Sequence, residues 1–357
     1  MYNAIIFNKE EKYINDFLIL PRILYSKKEI MQNEIDERKI IEEIHVLNKY
    51  FKQYKILIYK EDEISGRCIV TIYPDTDTAY IGYFECIEDS ECAKKLFEEA
   101  EKCIKKEGLK KMVGPVDTSF WIKYRMKIDS FDRKPYIGEP YNKQYYKKMF
   151  EENGYNILES WVSNWYTKLP LFYKKKTVYK ERLEVAEKHS YEIVSPNPKD
   201  FEKTLDIIYE LISDTFKEFV TYREITNEDF REIFKEYKYI LDYNFVKIAY
   251  YKDEPVAFSI VLPDYKNILY KDLTIFTKIK VIIKRMRSKN YVSLYMGVKK
   301  EHKGLGKALT QKIIKNVYIR RAGCVGALIT KGKITEKYIE ERINKKNNYV
   351  LFEKELY

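Results

Sequence analysis

One order of elements occurs twice in this chain, and it limits the possible folds more than any other feature. In the first half, 3–7 reads as a short strand, and helical periodicity runs through 13–25 and 34–51. Strands follow at 54–59 and 67–73, with the polar turn EDEISG between them, and again at 78–85. The stretch 89–107 is an amphipathic helix with Ala93, Leu96, Phe97, Ala100 and Ile104 on one face, ended by Gly108. A strand at 111–116, a helix at 142–153 stopped by Gly154, and a strand at 155–166 complete the half. The second half runs the same way: a strand at 191–194, helices at 200–219 and 227–241, the latter capped by Thr226, and strands at 246–251 and 256–262 around the turn KDEP. Then come a strand at 291–298, a helix at 304–321, a strand at 326–330, a helix at 335–346 and a strand at 349–355. Repetition at this scale implies a duplicated α/β (α+β) fold.

A length of 357 residues suits two domains, expected at 1–168 and 190–357. The halves differ in sequence, so the repeat is one of architecture. The stretch 169–189, with Pro170 and Lys174, Lys175 and Lys176 in a row, reads as an exposed link. An insertion at 264–290 contains FTKIKVIIKRMRSK, a cationic amphipathic segment. It suits RNA, a membrane surface, or a helix over a cleft with its basic face in water.

No stretch approaches the ~20 apolar residues of a membrane span, and the first residues, MYNAIIFNKEEKY, carry no secretory pattern. Five cysteines without paired spacing and three scattered histidines lead us to expect no disulfide framework and no metal site. A reducing cytoplasm fits that usage. The net charge of +11 suits an anionic partner: nucleic acid, a membrane surface or a phosphorylated cofactor. Lysines alternate with glutamates, as in 98–111, which weakens the electrostatic footprint and makes nucleic acid the lesser expectation.

The chemistry concentrates at Tyr291-Val-Ser-Leu-Tyr-Met-Gly-Val-Lys-Lys-Glu-His-Lys-Gly-Leu-Gly-Lys-Ala-Leu. A strand enters a turn with Gly304 and Gly306, and a helix begins at once. Helix starts leave N–H groups unpaired and carry partial positive charge. Glycine lets that backbone approach phosphate oxygens without a Cβ in the way. Lys303 and Lys307 add full charges, and Ala308 keeps the first turn thin. Neither GxxxxGK[ST] nor GxGxxG with a following acid is present, which excludes two other phosphate motifs. An ordinary strand-to-helix turn with two glycines would read the same way.

The region resembles the GNAT acyltransferase superfamily. That family's signature is Arg or Gln, two residues, Gly, one residue, Gly or Ala, after a strand ending in a small residue and Val. Here Gly297-Val298 ends the strand, and Lys303, Gly306 and Ala308 take the three signature positions, with Lys in place of Arg or Gln. The resemblance covers roughly 190–357. It implies that Met296, Gly297 and Val298 pair with the pantetheine arm of acetyl-CoA or another acyl-CoA. It also implies that Lys303, Gly304, Leu305, Gly306, Lys307 and Ala308 hold the pyrophosphate. The first half is similar too, giving two GNAT-like lobes, each a central mixed, mostly antiparallel sheet flanked by helices. Its corresponding helix start, Ile87-Glu-Asp-Ser-Glu-Cys, is acidic and repels phosphate, so no CoA is expected there.

Acyl transfer to an amine needs a base for the amine proton, donors for the thioester oxygen and an acid for the leaving thiolate. In many GNAT enzymes the acid is a Tyr on the helix after the fifth strand. Aligning Asn348-Tyr349 with the family's Gly-Phe puts Asn344 there, a departure from the pattern. Tyr338, earlier in that expected helix, is the substitute, and Ser293 on the fourth strand is the candidate base or water holder. Asp214, Glu218 and Tyr222 lie where the family binds its acceptor. The resulting expectation is an acyl-CoA-dependent N-acyltransferase acting on an amine. The alternatives are an aminoacyl-tRNA-dependent transferase of tandem-GNAT type and a non-catalytic CoA-binding protein.

Overall fold

A computed structural model describes residues 1–170, 178–270 and 274–356. The chain forms two compact units. One comprises Met1–Pro135, Glu139–Trp161 and Asn347–Tyr357; the other comprises Tyr136–Gly138 and Val162–Lys346.

The first unit contains, in chain order, β1 (Tyr2–Phe7), α1 (Glu11–Leu24), α2 (Glu34–Ile41), β2 (Lys52–Lys60), β3 (Glu63–Ile72), β4 (Thr78–Cys86), α3 (Ser90–Lys106), β5 (Lys111–Gly114), β6 (Met126–Lys127), α4 (Tyr146–Glu152) and the start of β7 (Asn156–Tyr166). Strands β1 to β4 pair as antiparallel neighbours, and β4 lies parallel to β5. Residues 347–355 close the series antiparallel to β5, with Phe352 opposite Gly114. The apolar face expected of α3 is buried, and Leu96, Phe97, Ala100 and Ile104 share one core with Ile56, Val70, Ile81 and Met112. Side chains alternate across a strand. Cys68 therefore faces α3, whereas its neighbour Arg67 reaches the Phe17 carbonyl of α1 and pairs with Glu37 of α2.

The helix expected over 34–51 stops at Ile41. The Ile40 carbonyl accepts from the Asn48 and Gln53 side-chain amides at 3.1 and 2.8 Å, and Glu43 turns to φ 62°. An acceptor that would continue the helix is thereby taken by side chains, and a 3-10 turn, Val46–Tyr50, follows.

The second unit contains α5 (Val178–Lys188), β8 (Tyr191–Val194), α6 (Phe201–Thr215), α7 (Asn227–Phe234), β9 (Val246–Tyr251), β10 (Glu254–Pro263), α8 (Ile275–Arg287), β11 (Asn290–Val298), α9 (Leu305–Ile319), β12 (Gly323–Thr330) and the start of β13 (Ile343–Glu355). Its strand order is β8-β9-β10-β11-β12, with β7 beyond β12. The pairs are antiparallel up to β11, and β11 lies parallel to β12. Each unit thus has the expected mixed, mostly antiparallel sheet with helices against it. Leu305, Ala308 and Leu309 of α9 pack on Val256 and Ala257, while Ile313 and Val317 pack on Phe245, Val261 and Tyr291.

Two expectations fail here. Residues 335–346 do not form a helix, despite a helix-favouring composition. They form 3-10 turns at Ile334–Lys337 and Glu340–Arg342, and then β13 begins. Neighbours of the second unit take the backbone groups instead: the Glu336 carbonyl accepts from Asn164, the Ile339 N–H donates to the Tyr179 hydroxyl, and the Arg342 carbonyl accepts from the Thr167 N–H. Asn344 lies in β13, so aligning it with a helical Tyr has no structural basis. The link expected over 169–189 is also more than a connection. Residues 171–177 lie outside the described residues, but Val178–Lys188 is helix α5, with Tyr179 and Ala186 buried and Glu187 paired to Lys312 of α9.

Candidate functional site

The site is built where two parallel strands part. β11 pairs with β12 only from Asn290↔Gly323 to Ser293↔Gly326. With β10 it stays paired as far as Val298, opposite Ala257. Beyond Ser293 the ladder between β11 and β12 ends, and the two strands part. β12 turns away at Leu328, which adopts φ 55° and donates its N–H to the Ser163 hydroxyl at 3.0 Å. A gap between parting strands can admit an extended polar chain beside the strand that continues.

The turn after β11 delivers a helix start to the same end of the strand. The Lys299 N–H bonds the Val256 carbonyl, a 3-10 turn spans Lys300–His302, and Gly304 adopts φ 107° with open space around its Cα. That left-handed conformation is strained for any residue with a side chain. α9 begins at Leu305 without a side-chain cap, so its first-turn N–H groups keep their partial positive charge. Lys299 and Lys300 are paired to Glu210 and Glu218. Among the described residues, Lys303 and Lys307 have no ion pair. His302 braces the turn, its Nδ1 2.9 Å from the Tyr191 hydroxyl and its ring against Tyr191 and Tyr251.

Of the two catalytic candidates, Tyr338 reaches the loop. Its hydroxyl lies 3.0 Å from where a Cβ on Gly306 would stand, and the Met296 sulfur lies 3.6 Å from the same point. The Tyr338 ring meets Tyr179 edge-on, with centroids 5.7 Å apart. Burial, with a smaller contribution from Tyr179, raises the Tyr338 pKa above the ordinary tyrosine value, so the hydroxyl holds its proton at neutral pH. Ser293 stands at the base of the gap, opposite Gly326, about 10 Å along the strand from Met296. The fold therefore gathers Met296, Gly306 and Tyr338 and leaves Ser293 apart. Gly297 is needed for packing: a Cβ there would come within 2.5 Å of the Phe258 ring and of the Thr215 hydroxyl. Val298 and Ala308 pack into the core beneath the loop.

The acidic candidates are engaged elsewhere. Asp214 pairs with Lys217, and Glu218 pairs with Lys300. Tyr222 is half-buried, and its pKa is raised by burial.

The corresponding place in the first unit is filled. Asp89 caps α3, accepting from the N–H groups of Glu91 and Cys92 at 2.9 and 3.0 Å. The edge of β4 is occupied by the chain that follows β5: the Val116 N–H bonds the Ile81 carbonyl, and Asp117 accepts from the Tyr83 N–H at 2.6 Å. A Cβ on Gly82 would lie 1.8 Å from the Val116 carbonyl oxygen. An extended ligand has no edge left to pair with there. The acidic helix start was legible in the sequence; the plug at 116–117 was not.

Neither family models nor curated proteins match this sequence. Solved structures match its fold. A tandem GNAT protein from the clavulanic acid biosynthesis pathway aligns over 99% of this chain and 98% of its own, at a TM-score of 0.56 and 8% identity. The fold is that of the tandem GNAT proteins. A GCN5-related N-acetyltransferase from Sphaerobacter thermophilus aligns over 99% of this chain and 95% of its own, at 0.52 and 12% identity. A conserved protein from Enterococcus faecalis V583, described as a probable N-acyltransferase, aligns over 100% and 73%, at 0.53 and 7%. At such identities the likeness is one of GNAT fold, and the residues of the site must argue for themselves. The sequence pointed to Tyr338 but not to Tyr179, which packs on it, or to His302, which braces the turn, both through contacts remote in sequence.

Proposed function

We propose that the chain is an acyl-CoA-dependent N-acyltransferase whose second unit binds the acyl donor, acetyl-CoA or a longer acyl-CoA. The observation that carries this reading is that β11 parts from β12 where an uncapped helix start follows at Gly304. The donor set fits the ligand: an extended amide arm needs strand N–H and C=O partners, and a pyrophosphate needs converging N–H groups and unpaired cations. Met296, Gly297 and Val298 would hold the arm. The backbone of 304–308, with Lys303 and Lys307, would hold the pyrophosphate. When bound, the thioester supplies an activated acyl group. Tyr338 is the candidate proton donor at the sulfur, supported by its approach to Gly306 and Met296 and by a hydroxyl kept protonated. The acceptor would be an amine of a small molecule or peptide. Its proton would pass to water or to a group near Ser293, with proximity supplying much of the rate. Cytoplasmic location is part of the same reading.

Thermal melting with CoA and acetyl-CoA tests it. Ligand at 100 times its Kd stabilises by about 2.7 kcal/mol, a clear rise in melting temperature. Gly306→Glu should abolish that rise, measured against the variant's own unliganded melting temperature because its side chain also crowds Tyr338. No rise with any CoA species at millimolar concentration would sink the proposal. Turnover is then sought with an amine panel.

A further inference from the structure

Helix α8 is an amphipathic helix turned outward. Ile275, Phe276, Ile279, Ile282, Ile283 and Met286 are each between 47% and 77% exposed, and only Val281 is buried. At 3.6 residues per turn these six side chains fall within one arc of about 120°, diametrically opposite Val281. The helix is fastened on its inner side: Arg285 donates to the Tyr239 carbonyl at 3.0 Å, and Thr274 caps its start by accepting from the Thr277 N–H. Lys278 and Arg285 flank the apolar arc on one side, and Lys280 and Arg287 flank it on the other. No acidic residue occurs within Ile275–Arg287. The sequence left open a helix over a cleft with its basic face in water; the structure leaves the apolar arc exposed together with Lys278, Lys280 and Arg287.

An apolar stripe of this size in water is unfavourable and marks a contact surface. We infer that α8 docks in the plane of an anionic lipid bilayer, its six apolar side chains among the acyl chains and its cations against the headgroup phosphates. Charge selects this occupant. Five cations with no acid repel the same face of a second copy, and an apolar arc between two cationic rims matches the depth profile of an anionic interface. The helix lies on the bilayer rather than through it, for among the described residues no helix is long and apolar enough to cross a membrane.

The test is co-sedimentation of the full chain with vesicles of phosphatidylcholine alone and of phosphatidylcholine mixed with phosphatidylglycerol. We expect binding to the anionic vesicles, weakened at high salt. Ile279→Glu with Ile283→Glu should abolish it at an unchanged melting temperature, since both positions are exposed. Lys280→Ala with Arg287→Ala should weaken it about fivefold per charge removed. If the glutamate pair lowers the melting temperature, Ile275→Ser with Phe276→Ser replaces it, with the same loss expected. Equal binding to both vesicle types, no binding to either, or wild-type binding by the apolar variants overturns the inference. So does a dimer in solution that these variants convert to monomer, which would mean a second copy covers the face.

Discussion

The Tyr338 hydroxyl stands 3.0 Å from the position a Cβ on Gly306 would occupy, so a residue far along the chain limits what the first turn of α9 can carry. Gly306→Ala must push Tyr338 aside by a few tenths of an ångström, and we expect a weaker CoA-induced rise in melting temperature. Tyr338→Phe removes that oxygen and adds no bulk beside Gly306. It should lower kcat about 100-fold while Kd for CoA moves by less than about threefold. A change in Kd with kcat preserved would instead make the hydroxyl a ligand for the pyrophosphate. Because burial raises the Tyr338 pKa, its proton is lost only above the ordinary tyrosine range. The alkaline limb of kcat should therefore lie above that range and disappear in the Phe variant.

Gly297 tests the packing beneath the site. With Phe258 and the Thr215 hydroxyl each 2.5 Å from its missing Cβ, Gly297→Ala should destabilise the second unit by about 1–3 kcal/mol in urea unfolding. Phe258→Leu in the same chain should recover part of that loss by removing the ring edge. Recovery would separate crowding from any effect on the cofactor.

Asp89 tests which helix start serves the cofactor. Asp89→Ala removes the cap of α3 and should cost about 1 kcal/mol, as is usual for such caps. Backbone N–H donors, that of Cys92 foremost, hold the Asp89 pKa below the ordinary value. The cap's contribution is therefore present above the unfolded-state pKa and is lost as pH falls through the folded one. CoA binding should be unchanged in this variant, because the plug at Val116 and Asp117 still fills the β4 edge. Loss of CoA binding on Asp89→Ala would move the cofactor to the first unit.

Asp206 and Arg231 hold α6 to α7 through two bonds of 2.6 Å. Arg231, foremost, depresses the Asp206 pKa. Its stabilisation is thus complete above the unfolded carboxylate range and fades as pH falls through the lowered value. Asp206→Asn should cost about 0.5–1 kcal/mol at neutral pH, the scale of a well-formed surface pair. That difference should vanish in strong acid, measured by melting at a series of pH values.

Periodic patterns carried most of the architecture. The α3 stripe from Ala93 to Ile104, the strand ending Gly297-Val298 and the glycine turn that opens α9 all lie where the sequence placed them, because each is a local rule with a local cause. What was illegible depends on partners distant in sequence. Residues 335–346 have every local mark of a helix, yet Asn164, Thr167 and Tyr179 claim their backbone groups. Met296 and Tyr338 meet at Gly306 only after the fold forms, and spacing along the chain does not encode that meeting. The plug at Val116 and Asp117 was hidden for the same reason. Its residues are ordinary, and only their position against Gly82 gives them a role.

Glu139 is buried in the first unit, where its Oε1 accepts from Lys127 at 2.9 Å, from Asn347 at 2.8 Å and from Tyr349 at 2.6 Å. Two of those three donors follow the second unit's long segment in the chain. A ribosome must first add Val162–Lys346, which at about 5–20 residues per second takes roughly 10–40 s. Throughout that interval the nascent first unit lacks the strand that pairs with β5 and seals Glu139 from water. The first unit is therefore completed only after the second has been made, and until residues 347–355 arrive Glu139 lacks two of its donors and β5 lacks that partner.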